Sequence, residues 1–173
     1  ARLFDDGSSQ YLYNLNAPAT DYPFTFAAWF WSDDLPSSGF LSYPIIQLSD
    51  RDDGYDRDQL SVYAYGGSPV FDAFTTTNWD ATGRAADLTA TISASTWHHA
   101  CAVFSATDSR AVYTNGGSKD TDATSLTPNA RDTVAIAARY NTSVSTYLSG
   151  RVAEAAIWSA ALTDAEVTAL AAG

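Results

Sequence analysis

The chain has 173 residues, of which 46% are hydrophobic and 13% aromatic, enough for one closed core and too apolar for a disordered segment. Its formal charge is −11, from eighteen Asp and two Glu against eight Arg and one Lys. That balance argues against nucleic acid and anionic membrane surfaces, which require basic patches, and no apolar run approaches the roughly 18 residues of a membrane helix.

The N-terminus, Ala1-Arg2-Leu3-Phe4, enters a strand-like segment at once, with no cationic and apolar leader. This favours an Ala1 exposed by removal of an initiator Met over one left by a cleaved signal peptide. Asp5-Asp6-Gly7-Ser8-Ser9 is turn chemistry. The dominant period beyond it is two, the spacing of strands. Gln10 to Tyr13 is a first candidate. Phe24 to Trp31 is the strongest, with Phe24, Phe26 and Phe30 on one face and Trp29 and Trp31 on the other. Two apolar faces make it a central strand, covered on both sides or lining a concave groove.

Further strands are expected over Ile45 to Leu48, Gln59 to Tyr65, Phe71 to Phe74, Leu88 to Ile92, Trp97 to Phe104, Arg110 to Thr114, Val134 to Ala138 and Arg151 to Trp158. Many short strands separated by turn clusters define a two-sheet antiparallel sandwich, an all-β jelly roll, in a single domain over residues 1–173. One helix closes the chain. Thr163-Asp164-Ala165-Glu166 is a capping box, and Leu162 at the position before the cap staples onto Val167. Cys101, the single cysteine, lies in the run Ala100 to Phe104 and reads as a buried, inert thiol.

Four segments together resemble the laminin-G-like family of concanavalin-A-type lectin and glucanase jelly rolls. They are Leu3 to Leu12, Phe24 to Phe30, Trp97-His98-His99-Ala100 with the hairpin Arg110 to Gly117, and Gly150 to Trp158 with the helix that follows. Their order and spacing span nearly the whole chain. The resemblance implies two face-to-face sheets with ligand and ion sites on the rim loops, and small stand-alone versions of this kind are frequent among tailed-virus proteins. Where relatives often carry an acidic pair in the last strand, this chain has Ala153-Glu154.

Glycosidases need two carboxylates roughly 5 to 10 Å apart. Here Glu154 has no acidic neighbour on its strand, and Glu166 is taken up by the helix cap. His98 and His99 point to opposite faces of one strand and cannot share a metal. A non-catalytic protein is the expectation. Asp50, Asp52, Asp53 and Asp56 crowd around Gly54, with Arg51 and Arg57 interleaved. Calcium takes carboxylates on flexible loops, so these four are the candidate ligands, against an acidic loop neutralised by its own arginines. Asp5 and Asp6 form a second candidate.

Sugars stack on aromatic rings while Asn and Asp fix their hydroxyls. The loop aromatics Tyr43, Tyr55, Trp79, Tyr140 and Tyr147 are therefore candidates for a glycan site or for a subunit interface, where such anchors concentrate. Two functions follow, with a glycoside hydrolase as a distant third. The first is an oligomeric structural or adhesion protein on a virion exterior, as capsid decoration or tail, partnered by other virion or surface proteins. The second is a secreted or displayed lectin-like module, extracellular and partnered by glycans. Neither involves nucleic acid or insertion in a membrane.

Overall fold

The computed structural model describes residues 1–37, 42–78 and 81–173. Its strands are β1 (Arg2–Phe4), β2 (Leu12–Asn14), β3 (Phe24–Trp31), β4 (Ser42–Ser49), β5 (Arg57–Tyr65), β6 (Ser68–Thr76), β7 (Thr82–Ala86), β8 (His98–Ala106), β9 (Ser109–Thr114), β10 (Ser118–Asp122), β11 (Thr133–Ile136), β12 (Ala138–Tyr140), β13 (Val144–Tyr147) and β14 (Gly150–Trp158), followed by helix α1 (Asp164–Ala172). Two six-stranded sheets run in the orders β1-β14-β3-β8-β9-β10 and β2-β11-β4-β5-β6-β7, and β12 and β13 form a separate hairpin. The expected jelly roll with one short C-terminal helix is the observed architecture.

Alternation of side chains divides each strand between two environments. Phe24, Phe26 and Phe30 of β3 and Phe104 of β8 meet Leu60 and Val62 of β5 and Phe71 of β6 between the sheets. Each such side chain contributes about 1.5–3 kcal/mol by leaving water. The opposite face of the first sheet carries Ala27, Cys101, Val103 and Tyr113, and α1 covers it with Val167 and the flanking Leu162 and Leu170. The capping box forms: Thr163 Oγ1 accepts from the Glu166 amide at 3.3 Å, and Glu166 Oε2 accepts from the Thr163 amide at 2.8 Å. Central strand β3 thus packs against the second sheet on one face and is partly covered by α1 on the other. Among the described residues no helix is long and apolar enough to cross a membrane.

One expected strand is displaced. Leu88 to Ile92 is irregular, and β7 lies just before it. Asp87 Oδ1 accepts from the Thr89 amide and hydroxyl at 3.2 and 2.9 Å, which closes a turn in place of a ladder. The small residues of β7 have weak strand propensity and are recruited by pairing with β6. β10 and β13 are likewise too polar for periodicity to reveal. Both histidines are enclosed: His98 faces Phe71 between the sheets, and His99 packs edge-on against Trp29 on the other face.

Candidate functional site: a cationic groove on the second sheet

Residues of β5 that do not enter the core point to the outer face of the second sheet. Register places them in rows. Gln47, Gln59, Phe74 and Arg84 are successive cross-strand partners over β4, β5, β6 and β7, and Ser49, Arg57, Thr76 and Thr82 form the adjacent row. The β12–β13 hairpin stands along one side. Gln47 Nε2 donates to the Tyr140 carbonyl at 2.5 Å, and Ser49 Oγ donates to the same carbonyl. Between sheet and hairpin lies a groove of about 300 Å³, at the lower end of the roughly 300–1,000 Å³ typical of small-molecule sites.

Its floor is polar yet rigid. Gln59 Nε2 donates to Ser42 Oγ at 2.8 Å and to Ser61 Oγ at 3.1 Å; Ser61 donates to the fully buried Asp72 carboxylate, and Arg84 forms an ion pair with the other Asp72 oxygen. Burial pushes the Asp72 carboxyl above the usual range, against the pull of Arg84, Ser61 and Arg57. The Arg84 guanidinium also lies 3.8 Å from the Tyr63 ring centre and 4.4 Å from that of Phe74. Arg57 sits over the same Phe74 ring at 5.2 Å, held by Gln59 Oε1 at 3.3 Å and the Tyr55 carbonyl at 3.1 Å. On the hairpin, Arg139 Nε donates to Ser145 Oγ at 3.1 Å. Burial, then repulsion from Arg139 and Arg84, lowers Arg57 to about 10, with Asp72 pulling the other way; it stays charged at neutral pH.

The sequence-predicted aromatics do not converge here. Tyr55 lines the groove. Tyr43 packs against the core on a different side, near Asp34, Pro36 and Leu148. Tyr140 stacks on Tyr13 with ring centres 5.4 Å apart, and Tyr147 meets Tyr11 at 5.9 Å, so both belong to a tyrosine cluster beside edge strand β2. Trp79 lies outside the described residues. Arg57, Phe74, Arg84 and Arg139 were not singled out by their positions in the chain. The signal that bears on them is the β5 alternation, which puts Arg57 and Gln59 on the face opposite Leu60 and Val62.

The acidic loop is divided. Asp50 and Asp52 come together with Asp132, one carboxylate oxygen of each lying within 4.8 Å of the others, and Arg51 pairs with Asp132 at 3.2 Å. Asp53 instead accepts from the Tyr55 and Asp56 amides at 2.7 and 3.3 Å. Asp56 is buried and accepts from the Asn129 amide at 2.5 Å. Arg57, expected as a neutraliser of this loop, turns to the groove. Asp5 closes its own turn, accepting from the Gly7 amide at 3.0 Å and Ser8 Oγ at 2.6 Å.

Glu154 and Glu166, far apart in sequence, line one shallow cleft with Trp158, Leu162 and Leu170. Hydrogen bonds from the Thr163 amide and hydroxyl hold the Glu166 carboxyl below its ordinary range. A glycosidase acid needs the opposite shift, since it must keep its proton near neutrality.

A laminin-G family model, described as the concanavalin A-like lectin/glucanases superfamily, matches residues 6–168, and the chain belongs to this superfamily. Among solved structures it is similar to a heptameric SAP-like pentraxin from Limulus polyphemus, with 19% identity and a TM-score of 0.71 over 93% of this chain and 75% of that one. It is also similar to domain 4 of the extracellular arabinanase AbnA from Geobacillus stearothermophilus, in complex with arabinotriose (18% identity, TM-score 0.62, 89% of this chain and 68% of that one). A third is the CBM40 of the Ruminococcus gnavus IT-sialidase, bound to α2,3 sialyllactose (11% identity, TM-score 0.66, 87% and 83%). At these identities the likeness is one of fold. A search among curated proteins returns no match.

Proposed function

We propose that this protein is a non-catalytic glycan-binding module and that the groove between the second sheet and the β12–β13 hairpin is its binding site. The observation that carries the reading is the groove's make-up. The exposed Tyr55 ring lies among amide, hydroxyl and guanidinium groups in a concave site of ligand size, over a floor that includes the buried Phe74. A sugar offers apolar C–H faces to rings and hydroxyls to amides, and this lining matches both. Two of the similar structures hold oligosaccharides, which supports the reading. The test is a glycan array probed with the whole protein, its Tyr55→Ala variant and a Tyr13→Ala control. Binding weakened by Tyr55→Ala alone is expected. Binding to no glycan refutes the function, and loss confined to Tyr13→Ala moves the site to the tyrosine cluster.

A second role, as a repeated exterior subunit of a particle such as a virion, is favoured by one feature. Strand β2 is a sheet edge with Leu12, Tyr13 and Leu15 exposed beside the clustered tyrosines. Aromatic anchors on a free edge suit contact with a second copy. The two roles are compatible, since the edge and the groove are separate surfaces. Light scattering after size exclusion, on the wild type and Tyr13→Ala, tests it: a concentration-independent wild-type monomer removes this role.

A further inference from the structure

The chain carries a formal charge of −11, yet no Asp or Glu is among the described residues lining the groove, while Arg57 and Arg139 are. Among the described residues the only carboxylate bonded into its network is Asp72, and Arg84 already pairs with it. Among the described residues neither Arg57 nor Arg139 forms an ion pair. Both are nevertheless fixed, Arg57 by Gln59 and the Tyr55 carbonyl, Arg139 by Ser145. Each fixing bond uses a nitrogen facing the protein's own acceptors, and most of each five-donor fork remains for something else.

Holding two guanidiniums without an ion-pair partner in one half-buried groove is unfavourable on its own. They repel, and burial penalises each charge. Recognition of a neutral sugar needs no such arrangement, because amides and hydroxyls suffice for its hydroxyl groups. A planar or tetrahedral oxyanion accepts several charge-assisted hydrogen bonds from guanidinium forks and offsets the repulsion. Asn141 adds to this. It lines the groove, its side-chain oxygen accepts from Gln47 at 3.3 Å, and among the described residues its buried Nδ2 has no hydrogen-bond partner.

We infer that the ligand of this groove is an acidic saccharide, whose carboxylate or sulfate is held by Arg57 and Arg139 while its ring lies against the exposed Tyr55. The inference rests on the glycan-binding reading and narrows it. The acidic remainder of the surface repels long polyanions, so a short glycan or a terminal acidic sugar fits better than a polyanionic chain. Arg84 and Asp72 act as positioning residues: the pair locks Arg84 against the Phe74 ring and sets the floor on which Arg57 rests.

Calorimetry and an array of matched pairs test this. Oligogalacturonate is compared with its neutral reduced counterpart, and a sulfated galactoside with its unsulfated parent. Inorganic sulfate and acetate serve as anion controls. The acidic member of a pair is expected to bind at least tenfold more tightly than the neutral one. Arg57→Gln and Arg139→Gln should each reduce that affinity by about 10- to 100-fold, as loss of charge-assisted hydrogen bonds implies. Arg57→Lys, which keeps charge without the fork, should recover it in part, and thermal melts should show all three variants folded. Which pair responds separates carboxylate from sulfate recognition. Binding of neutral glycans with no preference for acidic ones overturns this inference and leaves the glycan-binding reading standing; binding of no glycan overturns both. Sulfate or acetate binding as tightly as the acidic oligosaccharides overturns the saccharide assignment.

Discussion

Replacing Arg131 by methionine removes the cation from an ion pair enclosed at one end of the core. Arg131 Nε donates to Asp58 Oδ2 at 2.5 Å, its Nη1 to the Thr20 carbonyl at 3.1 Å, and its guanidinium lies over the rings of Tyr22 and Phe24 at 4.3 and 5.3 Å. Asp58 is fully buried and Arg131 is 5% exposed, so the substitution strands a carboxylate in the interior. Removing one member of a buried pair costs roughly 3–5 kcal/mol. Asp58 keeps donors in the Tyr22 hydroxyl at 3.1 Å and the Thr75 hydroxyl at 2.6 Å, which puts the expected loss toward the lower end, about 3 kcal/mol. For a domain of this size that is a fall in Tm of roughly 6–12 °C. Urea unfolding followed by tryptophan fluorescence gives the stability directly. The double variant Asp58→Asn, Arg131→Met removes the stranded charge while keeping an acceptor for Tyr22, and should regain at least about 1 kcal/mol of the loss. A single variant that loses less than about 1 kcal/mol, or a double variant no more stable than the single, would show that the pair is not the electrostatic unit described.

Removing the helix cap by Thr163→Ala should cost about 1 kcal/mol, read as a lower urea midpoint with an unchanged slope. Burial lowers the pKa of His99, with Glu154 opposing, so its contribution to stability is full above the unfolded value near 6.5 and is lost as pH falls through the lower folded value. Melts from pH 7.5 to 5 should therefore show a smaller acid-side decline for His99→Gln than for the wild type, and parallel curves would refute the assignment. Burial pushes the Cys101 thiol up to about 12, so an aromatic disulfide reagent should label it only after unfolding. The Tm should rise between dilute buffer and about molar sodium chloride as self-repulsion of the −11 charge is screened; a flat trend would mean that the acids are already compensated locally.

Much of the sandwich is visible in the chain itself. The alternation of Phe24, Phe26 and Phe30 marks the core side of β3, and Thr163 with Glu166 marks the helix, because both signals are carried by neighbours a few residues apart. The groove is not legible in this way. Phe74, Arg84 and Arg139 stand in three strands and acquire meaning only through cross-strand register and the placement of the hairpin. Aromatics in turns look in the sequence like ligand contacts, but Tyr140 and Tyr147 use their rings on other tyrosines. The adjacency of its aspartates makes the acidic loop look like one unit; the fold disperses them to turns, to Asp132 and to the interior. Asp58 shows the limit most clearly, since nothing near it in sequence announces Arg131.

The β12–β13 hairpin has no ladder with the second sheet. It is attached by side chains reaching up to the Tyr140 carbonyl and, at its base, by the Ala137 amide bonding to the Ile45 carbonyl. One wall of the groove is therefore held by different bonds from its floor. Substitutions or small insertions between Asn141 and Ser145 alter what the groove can hold without passing through the packed interior, where a change of one methylene is felt. A lineage built on this plan can drift in ligand while its core sequence stays nearly still. Descendants should then differ most in a stretch of chain that contributes least to folding.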